Sequence, residues 1–316
     1  MKRTLLVLVA AAIVVAGFSA CAPAKPKVKT FVMVPKGVHP YYVPCFAGFQ
    51  AAGAKYGVKT IEVDPQKFDV TLQVKVIEDL IAQKVDGITI SANDDAGLVP
   101  VIHDAMKAGI KVITFDAPAP SSEALTYIGT DNQTAGATAA KKMADLMGGE
   151  GDLVIIQGGL GATNLNLRTK GFKDAMAQIA PKVKILDVVD EGGDFAQTVN
   201  KTEAILQTYP HLKAIFGVSA EVAPAAAQVL TQQKKSGKII LAGFDDLKDT
   251  LEGIRNGTVS FCLVQKTYNM GWLSVEKLLD AIANKPIDKV IDTGVLIVDK
   301  GNVDTYMDDM KKEFQK

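Results

Sequence analysis

Apolar residues fall along this chain in two alternating rhythms. Unbroken runs such as Thr30 to Val34 (TFVMV) and Lys111 to Phe115 (KVITF) are separated by longer stretches in which apolar positions recur every three or four residues. The first rhythm predicts short strands buried on both faces; the second predicts amphipathic helices. From residue 30 the expected order is strand 30–34, helix 44–56, strand 59–63, helix 71–83, strand 87–90, helix 98–108 and strand 111–115. Gly57 and Gly109 stand where helices should stop. The rhythm restarts with a short strand at 127–129 and a helix over 134–147 that Asp131 and Asn132 can cap. Strand 152–157, helix 166–179, strand 183–189, helix 194–207, strand 214–218, helix 220–233, strand 238–244 and strand 258–264 follow, with 247–254 helical.

Strands alternating with helices in this way predict parallel sheets covered on both faces. The strands are too many for one compact sheet, so the expected fold class is α/β, with two similar doubly wound, Rossmann-like lobes. The charged stretch 308–316 reads as an exposed, helical tail.

The first residues follow neither rhythm. Lys2 and Arg3 precede an apolar run from Leu5 to Phe18, which ends in Phe18-Ser19-Ala20-Cys21. A basic start, a short apolar core and small residues before the cut predict a secretory signal over 1–20. The cysteine after Ser19-Ala20 resembles a bacterial lipobox, which implies that Cys21 carries lipid and that 21–29, rich in Pro and Lys, is a tether. The expected location is the outer face of the bacterial cell membrane, with membrane contact through that lipid.

Lys+Arg and Asp+Glu both number 35, so the formal net charge is zero. A nucleic-acid partner would need a basic footprint, and none is expected. Beyond Cys21 only Cys45 and Cys262 remain, and buried free thiols are the favoured reading. His39, His103 and His211 lie in no metal-ligand spacing, so no metal is expected. The turn Gly158-Gly159-Leu160-Gly161-Ala162-Thr163 looks like a dinucleotide-binding loop, but the third glycine of that fingerprint falls on Asn164. No cofactor is expected. No nucleophile elbow or acid–base pair can be nominated, so the chain reads as a non-enzyme.

In open parallel sheets, ligands bind beyond the carboxyl ends of the strands. That rule selects Pro35 to Tyr42, Ser91 to Asp94, Asp116, Gly158 to Arg168, Phe195, Ser219 to Glu221, Asp245-Asp246 and Gln265. The set mixes aromatic faces, carboxylates, amides and hydroxyls, a mixture suited to a polyhydroxylated small molecule. Plainer roles are open as well: Tyr41 and Tyr42 as a staple on the first helix, and Asp245-Asp246 as the cap of the helix after them.

With Lys36 to Tyr42 before a helix, Val112 to Asp116, Ile128 to Asn132, Leu241 to Asp246 and Val264 to Tyr268, the chain resembles the periplasmic-type sugar-binding proteins of bacterial ABC importers, of the ribose, galactose and autoinducer kind. The resemblance runs from about Phe31 to Val298. It implies a lobe of 30–130 plus 266–292 and a lobe of 131–265 plus 293–316, joined by crossovers near Thr130, Gln265 and Thr293. It also implies hinge closure around a sugar or sugar-like ligand, delivery to a membrane permease, and a monomer. Chemosensing or autoinducer reception and nucleoside binding are the alternatives. Tyr41, Tyr42 and Phe195 fall where aromatic rings stack on the sugar. His39, Asn93, Asp116, Asn166, Ser219, Asp245 and Gln265 fall among the polar ligand positions. Ala117 and Asn166 stand where the ribose binders have arginines, and Arg168 is a neighbouring supporting position. The two absent guanidinium forks point away from ribose, toward another pentose, a hexose, a sugar alcohol or a furanosyl signal.

Overall fold

A computed structural model describes residues 28–313; the signal and Cys21 lie outside them. The first half of the chain builds β1 (Thr30–Val34), α1 (Val43–Tyr56), β2 (Lys59–Glu62), α2 (Val70–Gln83), β3 (Gly87–Ile90), α3 (Asp95–Lys107), β4 (Lys111–Phe115) and β5 (Tyr127–Gly129). The second half begins α4 (Asn132–Met147), β6 (Glu150–Gln157), α5 (Thr163–Ile179), β7 (Lys182–Asp190), α6 (Phe195–Thr208) and β8 (Ala214–Gly217). It continues with α7 (Val222–Gln232), β9 (Ile240–Phe244), α8 (Lys248–Asn256) and β10 (Phe261–Gln265). The chain ends with α9 (Thr267–Ile282), β11 (Val290–Asp292), β12 (Val295–Asp299) and α10 (Val303–Glu313).

These elements form two six-stranded sheets, ordered β11-β5-β4-β3-β1-β2 and β12-β10-β9-β8-β6-β7. Every pairing is parallel except β10 with β12. The chain passes between the sheets after β5, after β10 and between β11 and β12. Two of these crossovers are tied together: Thr293 N–H donates to Gly129 O at 2.8 Å, and Asp131 N–H donates to Asp292 Oδ1 at 2.9 Å.

Successive strand side chains point to opposite faces, and both faces are covered. On β1, Phe31 and Met33 pack with Cys45, Phe49, Met270 and Leu278, while Val32 and Val34 pack with Ile77, Leu80, Leu98 and Ile102. On β6, Leu153 and Ile155 meet Met143 and Phe172, while Val154 and Ile156 meet Ile205, Val222 and Val229. Each such side chain, fully buried, contributes about 1.5–3 kcal/mol. Each sheet therefore carries two hydrophobic layers.

The two lobes repeat one helix-packing device. In the first, a Cβ on Gly48 would lie 2.1 Å from Tyr268 O and one on Gly271 would lie 1.7 Å from Cys45 O, so α1 and α9 meet backbone to backbone. In the second, Gly136 would meet Arg168 O at 2.1 Å and Gly171 would meet Gln133 O at 2.0 Å, which locks α4 to α5 in the same way. Helix α9 and strands β11 and β12 extend the sequence pattern. Gly271 interrupts the apolar stripe of α9 because the backbone of α1 fills that place. Cys45 and Cys262 are buried and unpaired, and they lie in different lobes, on α1 and β10.

Asp131 caps α4 as its sequence suggests, accepting from Thr134 N–H at 3.1 Å. Asp245 and Asp246 do not cap α8, whose first turn follows Leu247 with no side-chain cap. Asp246 instead accepts from the Tyr306 hydroxyl of α10 at 2.6 Å. No helix among the described residues is long and apolar enough to cross a membrane.

Candidate functional site

Residues beyond the carboxyl ends of both sheets line one cavity of about 230 Å³. That is below the ~300–1,000 Å³ of drug-sized pockets and is the scale of a single sugar ring.

The first lobe contributes an aromatic and carboxylate wall. Pro40 opens a single 3₁₀ turn, Pro40–Tyr42, that follows β1 and presents both tyrosines to the cavity. The Tyr41 hydroxyl donates to Asp116 Oδ1 at 2.8 Å, and the Tyr42 hydroxyl donates to Oδ2 at 3.1 Å. Ser91 Oγ also donates to Oδ2, at 2.5 Å. Three hydroxyls therefore saturate most of the Asp116 carboxylate. Asn93 is fixed from both ends: its N–H donates to Gln73 Oε1 at 3.0 Å, and its Nδ2 donates to Lys36 O at 2.7 Å.

Two polar side-chain contacts cross the cavity from lobe to lobe. Lys36 Nζ, buried, donates to Asn164 Oδ1 at 3.0 Å. Burial lowers its pKa and Arg168 adds to that, against the opposing pull of Asp116, Glu221 and Asp245. His39 caps the 3₁₀ turn, its Nδ1 accepting from Tyr41 N–H at 3.2 Å. That bond assigns the proton to Nε2, which lies 3.2 Å from Glu221 Oε1. Burial lowers the His39 pKa and raises that of Glu221, so a neutral imidazole donates across the cavity. The lobes are thus closed upon each other.

The second lobe supplies groups with unused hydrogen-bonding capacity. Arg168, on α5, is buried; its Nε donates to Asn132 Oδ1 at 2.8 Å and its Nη1 to Val218 O at 2.9 Å. The guanidinium lies 4.0 Å from the Phe244 ring centroid, while Nη2 has no protein partner. Asp245 Oδ1 accepts from Gln265 Nε2 at 3.0 Å, leaving Gln265 Oε1 buried and unpartnered. Burial pushes the Asp245 carboxyl up to about 7, against the pull of Arg168 and Gln265. Ser219 lines the cavity with its Oγ donating to Glu191 Oε1 at 2.9 Å. Burial raises the Glu191 pKa, and the charge of Glu221 adds to it.

Of the sequence-nominated positions, His39, Tyr41, Tyr42, Asn93, Asp116, Ser219, Asp245 and Gln265 come together at this cavity. Asn166 and Phe195 do not line it. On α5 the cavity-facing positions are Asn164, Leu165 and Arg168, and Asn166 points elsewhere, donating to Leu160 O at 2.8 Å and accepting from Gln157 Nε2 at 2.7 Å. Phe195 opens α6 and is 42% exposed. The glycines before it, Gly192 and Gly193, bring backbone to the cavity instead. The space over Gly193 belongs to Phe68, whose ring lies 3.0 Å from where a Gly193 Cβ would stand and 2.7 Å from a Gly37 Cβ. Phe68, Lys36, Asn164, Arg168 and Glu221 are cavity residues that were not nominated. All but Phe68 lie within strand-end segments that the sequence rule selects; Phe68 lies in the loop after β2, outside them.

Residues 30–286 match the periplasmic binding protein domain family. The chain is 40% identical to an ABC transporter solute binding protein of Burkholderia graminis solved in complex with D-arabinose, over 88% of this chain and 97% of that one, with a TM-score of 0.85. It is 30% identical to GanP, a glucose-galactose binding protein of Geobacillus stearothermophilus, over 87% and 99% of the two chains, with a TM-score of 0.84. It is also 30% identical to the ribose import binding protein RbsB of Bacillus subtilis, over 80% of this chain and 81% of the relative. The family match over most of the chain and the agreement of two-lobed folds lead to one conclusion: the chain belongs to the periplasmic binding protein family, of type I fold.

Proposed function

We propose that this chain captures a neutral monosaccharide or sugar alcohol between its lobes and delivers it, chemically unchanged, to an ABC permease in the membrane. The observation that carries this reading is the pairing of unused groups in the closed cavity. Arg168 Nη2 offers a donor, while Gln265 Oε1 beside Asp245 offers acceptors, all buried. A hydroxyl both accepts and donates, so adjacent sugar hydroxyls satisfy such groups in turn. Tyr41 and Tyr42 supply ring surface for the ligand's C–H faces.

Charge narrows the class further. Asp116, Asp245 and Glu221 face the cavity against Lys36 and Arg168. Carboxylates outnumber cations, which disfavours sugar phosphates and uronates. The cavity's size favours a monosaccharide over a nucleoside. Relatives solved with or named for arabinose, glucose, galactose and ribose support the same class. The protein acts as a monomer, with Cys21 as the lipid attachment outside the cell membrane.

Mass spectrometry of small molecules released from the purified, denatured protein tests this reading. Recovery of one neutral sugar or polyol near one-to-one stoichiometry is the expected result. Recovery of a phosphorylated or acidic compound at that stoichiometry would overturn it.

A further inference from the structure

The guanidinium of Arg168 is aimed by a residue that does not touch the cavity. Its Nε donates to Asn132 Oδ1 at 2.8 Å, and Asn132 is the first residue of α4, just past the first crossover. Asn132 Nδ2 donates onward to the Tyr127 hydroxyl at 3.1 Å and to Thr130 O at 2.9 Å. The Tyr127 hydroxyl in turn lies 2.9 Å from Asp116 O and 3.0 Å from Thr130 O, and donates to one of them. Asn132 and Tyr127 are both buried, and neither lines the sugar-sized cavity. With the Tyr127 proton on Asp116 O, the shorter of the two contacts, a continuous run of hydrogen bonds joins the second lobe's arginine to the backbone of the first lobe's aspartate through the crossover.

Packing makes that run mechanically meaningful. Helices α4 and α5 touch backbone to backbone at Gly136 and Gly171, where a Cβ would clash with Arg168 O and Gln133 O. They move as one body, so rotation of the second lobe carries Arg168 and Asn132 together. Tyr127, on β5, belongs to the other sheet. The Asn132–Tyr127 bond thus spans the moving joint, and the Asp116 backbone at its far end carries the carboxylate that holds Tyr41 and Tyr42. Opening and closing of the lobes about this crossover, as the sugar-capture reading requires, supplies the two-state element that coupling needs.

We propose that Asn132 and Tyr127 are positioning residues that couple ligand occupancy to lobe closure. They set the closed crossover geometry in which Arg168 Nη2 faces the ligand and Asp116 holds the tyrosine wall. The purpose of this coupling rests on the sugar-capture reading, although its geometry does not.

The test uses the Tyr127→Phe variant, which deletes one oxygen and keeps the ring, together with Asn132→Ala and Asn132→Asp. D-arabinose, D-ribose, D-galactose and xylitol are titrated against each, with dissociation followed by stopped flow. For a sugar that the unaltered protein binds, Tyr127→Phe and Asn132→Ala each weaken affinity tenfold or more, mainly through faster dissociation. The double variant loses no more than the weaker-binding single variant, because both break one relay. Asn132→Asp is isosteric and keeps the acceptor for Arg168 but has no N–H for the Tyr127 hydroxyl, so it weakens affinity as Tyr127→Phe does; a merely space-filling role for Asn132 predicts full affinity in Asn132→Asp, and that result would overturn the relay. Binding within twofold of the unaltered protein in both Tyr127→Phe and Asn132→Ala would overturn the proposal. If the unaltered protein binds no neutral sugar, sugar capture fails but the relay is still judged, by hydrogen exchange in the ligand-free protein. Tyr127→Phe should speed exchange at residues 129–133 and at 163–169 on α5. Unchanged exchange at both segments would overturn the relay.

Discussion

Asp116 and Asp245 stand at equivalent points of the two lobes. Each directly follows the third strand in its sheet order, β4 in one and β9 in the other, and each has a left-handed backbone, with φ of +57° and +67°. The other described non-glycine residues at positive φ, namely Lys84, Lys234 and Asn284, follow the ends of helices. Left-handed backbone costs an ordinary residue roughly 1–2 kcal/mol, and here it turns both carboxylates into the cavity. The two differ in what they hold. Asp116 is engaged by three hydroxyls, whereas Asp245 receives one amide.

That difference predicts opposite outcomes for the same substitution. Asp116→Ala strands the hydroxyls of Tyr41, Tyr42 and Ser91 and should destabilise the fold by about 2–4 kcal/mol, each unmet buried group costing ~1–3 kcal/mol with partial relief from water. Asp245→Ala should cost less than about 1 kcal/mol while abolishing ligand binding. Chemical denaturation at neutral pH checks the pair; equal losses of stability would contradict the division of roles.

Asp245 also makes stability depend on pH. Its carboxyl is pushed up to about 7 from an ordinary value of 3.8, so between those values the folded chain holds a proton that the unfolded chain has released. Its contribution to stability is complete below pH 3.8 and is lost as pH rises through 7. Asp245→Asn removes this dependence. Its melting temperature should match or exceed that of the unaltered protein above pH 7, and the difference should move in favour of the unaltered protein as the solution is acidified. Burial raises Glu191 and Glu221 in the same direction, so part of the slope persists in the variant. A melting-temperature difference that is the same at pH 5 and pH 8.5 would count against the assignment.

The glycine crossings predict unusually costly methyl groups. Gly171→Ala places a Cβ 2.0 Å from Gln133 O, a backbone atom that cannot rotate away. Forcing such an atom into a packed interface costs about 1–3 kcal/mol. The cost should show as a lower melting temperature, because α4 and α5 must separate. A loss below about 0.5 kcal/mol would mean that the helices slide freely.

Phe68, and not Phe195, closes the cavity. Its ring bridges Gly37 of one lobe and Gly193 of the other, and meets the His39 ring at 6.0 Å. Phe68→Ala should speed ligand dissociation about tenfold or more with little change in association rate, whereas Phe195→Ala should change neither by more than about twofold. Stopped-flow competition separates the two.

Most of the architecture was legible because buried parallel strands show as unbroken apolar runs, as in Thr30–Val34 and Lys111–Phe115. The α9 helix was harder to read, since Gly271 sits where backbone rather than a side chain packs. The site was legible wherever a strand end announces it, as at Tyr41, Asp116 and Asp245. Asn166 misled because aligned position does not fix helical phase: Asn164 and Arg168 share the cavity face of α5, and Asn166 lies round the helix from them. Lys36 and Glu221 each pair with a residue of the opposite lobe, and such pairs, 128 residues apart for Lys36 with Asn164, have no local signature. Phe68 belongs to a loop that only the closed arrangement brings over Gly193.

Calorimetric titration of the ligand-freed protein with neutral pentoses, hexoses and sugar alcohols, alongside Asp245→Ala, tests the central claim most directly. The account predicts one-to-one binding of at least one of them at micromolar or lower Kd, and no measurable heat of binding for the variant. Full affinity in Asp245→Ala, or binding of a sugar phosphate in preference to every neutral sugar, would contradict it.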